Sequence, residues 1–271
     1  MTLWDLLQQP FMQRALYGGL IVALLTASIG VFVTLKKQSF LADGVAHASL
    51  AGVAIAFALA ISPTPIALLT GVFMAIAITY IQKNSNLASD AVIGIVYSFL
   101  FAVGIIVLNL SPSYRPELST YLFGSILSIS WGDIGYAFVT LLVTLLFFTS
   151  FYRQLIYVTF DTEAAQIRGI KTQRFEYLQN ILTSIVIIVS IKIVGIVLVT
   201  ALLIMPATAA KLVARNFKQM MPLALIISVI SFLSGMIMSY LWNSPTGATI
   251  VVSSALLFFL IFIFKNILRR E

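Results

Sequence analysis

Cysteine is absent from this chain of 271 residues, and histidine occurs once. The first absence excludes disulfides, thiolate metal ligands and a redox role. The second argues against a hydrolytic zinc centre, which commonly draws several His or Cys ligands from one chain. Charge is scarce as well: Asp, Glu, Lys and Arg make up 9% of the residues, where a soluble domain carries about 25%. A water-facing surface cannot be built from so few. The phosphate loop G-x-x-x-x-G-K-[ST], the H-E-x-x-H helix and the G-x-S-x-G elbow are all missing. No enzymatic chemistry is visible.

What is present is apolar. The chain is 61% hydrophobic with a mean hydropathy of +1.06, and its longest apolar runs exceed the roughly 18 to 20 residues that cross a bilayer core of about 30 Å. The whole chain, 1–271, is expected to be one transmembrane domain. The net charge of +7 does not point to nucleic acid, because the basic residues lie in short clusters between apolar runs with no interleaved aromatics. They act as topology signals: Lys36 and Lys37, Lys83, Arg153 to Arg174, Lys211 to Lys218 and Lys265 to Arg270 are expected to face the cytoplasm. The segment with Trp4, Asp5 and Pro10 lacks the basic start and cleavage site of a signal peptide, so the first helix is expected to stay.

Apolar runs cover 12–35, 42–61, 64–82, 89–110, 133–151, 176–192, 194–211, 221–241 and 247–264. Nine spans would place every basic cluster on one side. Lys192 and Gly195 interrupt the stretch 176–211, which reads either as two spans or as a broken helix, so eight and nine spans both stand. The segment Tyr121 to Leu127, after Pro112 and Pro116, is too short to span and is expected to be interfacial or re-entrant. Small residues crowd 42–60, from Ala42 and Gly44 to Ala60. Such a helix lets neighbours approach closely in lipid and belongs inside the molecule.

The single histidine, His47, follows Asp43 by four residues. That spacing sets both side chains on one helix face, a turn apart, where a carboxylate and an imidazole can share a divalent cation. At about 1.5 Å per residue from Lys37, Asp43 lies roughly 9 Å and His47 roughly 15 Å into the membrane. Ionisable groups at that depth usually face a cavity or a partner. Two structural alternatives stand beside this reading: the two side chains hydrogen-bond each other, or Asp43 caps the helix. Two ligands also fall short of a full metal shell. Asp90 and Asp133 are expected to start helices, and Lys192 to snorkel to a membrane surface.

The charged segment Tyr152 to Tyr177 is the longest basic stretch assigned to the cytoplasm. Asp161 or Thr162 is expected to cap a helix with Glu163 in its first turn. Gly169 is expected to stop it after about two turns. Ala164 and Ala165 would offer a small face to a docking groove, and Glu163 and Arg168 charged contacts at its rim. A plain connecting loop is the alternative.

Several stretches resemble one family, in its order: Phe40-Leu41-Ala42-Asp43-Gly44-Val45-Ala46-His47-Ala48-Ser49-Leu50-Ala51-Gly52-Val53-Ala54, Tyr121 to Leu127, Phe160-Asp161-Thr162-Glu163-Ala164-Ala165 with Gly169, Val194-Gly195, Leu198 to Ala210, and Pro245-Thr246-Gly247-Ala248. The chain resembles the membrane permease subunit of zinc- and manganese-type ATP-binding-cassette importers, over about residues 10 to 265. The resemblance implies an all-α polytopic membrane protein, a helical bundle of eight or nine spans like a type II importer permease. It implies a second copy of the permease, cytoplasmic ATPase subunits that carry the ATP, and an extracytoplasmic metal-binding protein, all at the cell membrane. It places Asp43 and His47 in the metal pathway as transient ligands, with no permanently bound cofactor, and Asp161 to Gly169 at the ATPase. Leu50-Ala51-Gly52, without the Pro common before that Gly in manganese-type relatives, favours zinc over manganese as the transported ion. Asn243 departs from the acid that relatives often carry before Pro-x-Gly. The competing readings are a gradient-driven secondary metal-ion carrier, for which no inverted repeat is evident, and a channel or scaffold.

Overall fold

The computed structural model describes residues 8–110 and 129–268. The expected interfacial segment Tyr121 to Leu127, with Arg115 and Glu117 before it, and the segment containing Trp4 and Asp5 lie outside the described residues, as do Arg269 and Arg270. Every described element is a helix: α1 (Pro10–Leu35), α2 (Phe40–Ala58), α3 (Pro63–Asn84), α4 (Ser89–Leu110), α5 (Trp131–Ser150), α6 (Tyr152–Phe160), α7 (Thr162–Ile167), α8 (Thr172–Val194), α9 (Ile196–Val213), α10 (Phe217–Trp242) and α11 (Thr246–Leu268). Nine of these described helices, all but α6 and α7, are long and apolar enough to cross a membrane.

Local chemistry sets the boundaries. Pro63, at the first position of α3, needs no amide donor there and brings a helical φ. Ser130 and Asp133 form a reciprocal cap on α5. The Ser130 amide donates to Asp133 Oδ2 at 3.1 Å while the Asp133 amide donates to Ser130 Oγ at 3.2 Å. The stretch 176–211 resolves into two helices. Gly195, at φ +84°, breaks the path between α8 and α9 in a conformation that side chains rarely adopt. With both halves long enough to span, the described residues hold nine candidate spans.

The chain forms two compact units. One gathers α1, the first part of α5, the end of α8 and α9 to α11; the other gathers α2 to α4, the rest of α5, α6, α7 and most of α8. In the first, Ala23, Leu198, Leu202, Phe232 and Ile250 make a buried core, and Ser228 Oγ donates to the Ala23 carbonyl at 2.9 Å. In the second, α2 packs against α3 and α4. A methyl group at Gly104 would sit 2.8 Å from Ala51 Cα, and one at Gly52 would sit 2.8 Å from Ala67 Cα. Backbones this close need the small faces that the sequence supplies, because packing rather than water exclusion joins helices in lipid. Asn180 donates to Thr79 Oγ1 at 2.9 Å between α8 and α3.

Candidate functional site

α2 carries the pathway candidates. Its first residue is Phe40 and its cap position is Ser39, so Asp43 lies within the first turn, past the cap. The carboxylate is exposed, whereas its neighbours Ala42, Gly44 and Val45 are buried. His47 is half-buried one turn on. Asp43 and His47 make no hydrogen bond or ion pair with each other or with any other described residue, and His47 Nδ1 is buried without a partner. The two side chains are not bonded, and Asp43 accepts no capping hydrogen bond, though its place in the first turn of α2 sets its charge near the positive end of the helix dipole.

Around them the packing is close. A methyl group at Gly44 would meet Met74 Cε at 2.8 Å and Ile93 Cγ2 at 2.9 Å. The His47 ring lies 6.0 Å from Tyr97 and 5.5 Å from Phe101, centroid to centroid. These two aromatics were missed in sequence. They come from α4 and carry no charge or motif, so only tertiary packing reveals them. No cluster of three or more His, Asp or Glu exists among the described residues. An ion held by Asp43 and His47 would complete its shell with water or with donors other than a third described His, Asp or Glu.

In the charged segment, Asp161 caps α7, accepting from the Ala164 amide at 2.9 Å. Gly169, at φ +73°, closes the helix, with the Ile170 amide donating to the Ala165 carbonyl at 3.0 Å. The helix has six residues, shorter than the expected two turns. Ala165 is fully buried inside the protein, so it packs α7 down and is not offered to a docking groove. Glu163, Gln166, Arg168 and Gly169 are exposed and Ala164 is half-exposed. Ile167 is 88% exposed, an apolar side chain that the sequence pattern did not single out. The Arg168 guanidinium stacks 4.5 Å over the Tyr157 ring of α6, which ties α7 to the helix before it.

Other charges also find places. Asp90 sits in the first turn of α4. Lys192 was expected to snorkel; instead its Nζ pairs with Asp133 Oδ1 at 2.6 Å. Lys83 pairs with Glu176 at 3.1 Å. Asn243, the departure noted before Pro245, takes a left-handed conformation at φ +48° to end α10, a place where Asn is among the few tolerated side chains.

Known proteins match this arrangement along its length. The high-affinity zinc uptake system membrane protein ZnuB of Haemophilus influenzae is 32% identical over 257 residues, covering 95% of this chain and 97% of that protein. The manganese transport system membrane protein MntC of Halalkalibacterium halodurans is 36% identical over 265 residues, covering 96% and 89%. Among solved structures, PsaBC from Streptococcus pneumoniae in complex with Fab superposes with a TM-score of 0.84 at 32% identity, covering 96% of this chain and 94% of that one. With the family model for the ABC 3 transport family matching residues 8–265, the chain belongs to that family as a multi-pass membrane permease subunit, not the subunit that hydrolyses ATP.

Proposed function

We propose that this chain is the permease of an ATP-driven divalent metal-ion importer, with zinc favoured over manganese, and that Asp43 and His47 are transient ligands along its path. The observation that carries the reading is the state of that pair. An ionisable carboxylate and imidazole stand one turn apart on a small-residue helix, with no hydrogen bond, ion pair or capping bond among the described residues to account for them. Polar groups in a membrane segment that serve no structural bond mark a route for a polar solute. Two protein ligands with water completing the shell suit transit, since a closed shell would retain the ion. Relatives named for zinc and for manganese share the divalent class, and the imidazole tilts the choice to zinc, the softer ion.

The partners follow from the same reading: cytoplasmic ATPase subunits at α7, a second copy of the permease, and an extracytoplasmic metal-binding protein that delivers the ion. Reconstitution with the cognate ATPase tests it, following zinc and manganese entry into proteoliposomes. The expected result is uptake that requires ATP and saturates at lower zinc than manganese. Uptake without the ATPase, driven by a proton gradient, would favour the secondary carrier. Asp43→Ala and His47→Ala are expected to lower uptake at least about tenfold at unchanged abundance, since even partners one step removed from a metal matter by that much.

A further inference from the structure

We infer that Phe101 and Tyr97 are positioning residues for His47, burying its Nδ1 and leaving Nε2 as the nitrogen offered to the ion. This rests on the pathway reading above and adds which atom binds and why it lets go. Tyr97 and Phe101 stand four apart on α4 and so share a face. Gly44, one turn before His47, makes room for Met74 and Ile93, and a methyl group there would be only in ordinary contact, 3.6 Å, with Tyr97 Cβ. The imidazole meets Phe101 edge to face at 72° and Tyr97 at a tilt of 34°. Its Nδ1 is buried without a hydrogen-bond partner among the described residues, although the residue as a whole is only half-buried. The accessible edge is therefore the Nε2 edge, on the helix face that also carries exposed Asp43.

The chemistry of a neutral imidazole then fixes the proton. One ring nitrogen carries hydrogen and the other a lone pair, so a ring that binds through Nε2 keeps its proton at Nδ1. In resident metal sites that N–H is held by a carboxylate or carbonyl, which fixes the ring and raises its basicity. Here aromatic packing fixes the ring, and among the described residues the N–H finds no more than the weak attraction of a π face. His47 is thereby oriented like a metal ligand without being strengthened like one. A pathway that must release its ion each cycle gains from that combination.

Because the chain holds one histidine, histidine-selective 15N labelling gives a single pair of imidazole signals. With zinc bound, the parent protein is expected to show a proton at Nδ1 and a zinc-induced shift at Nε2. Zinc at Nδ1 overturns the inference and leaves the pathway reading intact. No shift at either nitrogen overturns both. Phe101→Gln replaces the ring by an amide whose oxygen can accept from an Nδ1–H and is expected to bind zinc about tenfold more tightly, with KM and kcat for uptake falling together. Phe101→Tyr keeps the ring and is expected to behave like the parent. If Phe101→Gln and Phe101→Leu both keep the parental tautomer, affinity and rate, the aromatic wall does not position His47. Should these variants fail to accumulate, the spectrum of the parent decides.

Discussion

The ion pair of Lys192 with Asp133 shows how a charge is kept in an apolar segment. Asp133 is nearly buried and serves two partners, the Ser130 cap and the Lys192 ammonium. Removing one member of a buried pair costs about 3 to 5 kcal/mol because the other is left uncompensated. The Lys192 side chain is 37% exposed, so water lowers the expected loss for Asp133→Ala to about 1 to 3 kcal/mol. A lower melting temperature in detergent, largely regained by adding Lys192→Met, is the expected result; equal losses in the single and double variants would show that the cap alone matters. Lys36, in the turn between α1 and α2, presents the opposite case. Burial pushes its ammonium from 10.5 down to about 8, with Glu176 opposing and Lys83 reinforcing the shift. A base whose folded pKa is depressed binds fewer protons folded than unfolded between those values. Stability therefore rises with pH across that window, and the penalty is fully present below pH 8. Lys36→Met is expected to raise the melting temperature at pH 7 and to lose most of that advantage by pH 10. An equal gain at both values would remove burial of the charge as the cause.

At the scale of elements, α7 was legible where its signals are local and illegible where they are not. The Asp161 cap and the Gly169 stop depend on neighbours within a few residues, and both stand as expected. Which side of α7 turns inward depends on what it packs against, and a helix of six residues is too short for a periodic pattern to show it. So Ala165 is interior and Ile167 exposed, the reverse of a small-residue docking face. The same division runs through the proposed pathway. The spacing of Asp43 and His47 is local and was readable; Tyr97, Phe101 and the partner of Lys192 are set by helices distant in the chain. The variants separate accordingly. Ile167→Asp is expected to weaken ATPase binding at least about tenfold, as loss of a central apolar anchor costs roughly 2 kcal/mol or more, with the melting temperature unchanged. Ala165→Leu has no space to occupy and is expected to lower both. Parental ATPase binding by Ile167→Asp would move the docking contact away from α7, with Lys211 to Met221 the next segment to test.

For the whole molecule the count of spans fixes which side each connection faces, and the break at Gly195 decides the count. An odd number puts the two ends of the chain on opposite sides of the membrane. If α8 and α9 each cross, the connection holding Arg215 returns to the cytoplasm beside Lys211 and Lys218, as the bias of basic residues toward that side requires. If 172–213 crossed only once, Arg215 would emerge outside and every later connection would be inverted. The chain is suited to the measurement because it has no cysteine to remove. Ser62, between α2 and α3, Asn86, between α3 and α4, and Arg215, between α9 and α10, are all exposed. Each is replaced singly by Cys and treated with a membrane-impermeant maleimide before and after the cells are opened. Ser62→Cys is expected to label in intact cells, whereas Asn86→Cys and Arg215→Cys are expected to label only after opening. Ser62 and Asn86 lie before the break and calibrate the two sides, so Arg215 alone carries the decision. Labelling of Arg215→Cys in intact cells, with the other two as expected, would reduce α8 and α9 to one crossing, place the basic cluster on the wrong side, and leave eight spans.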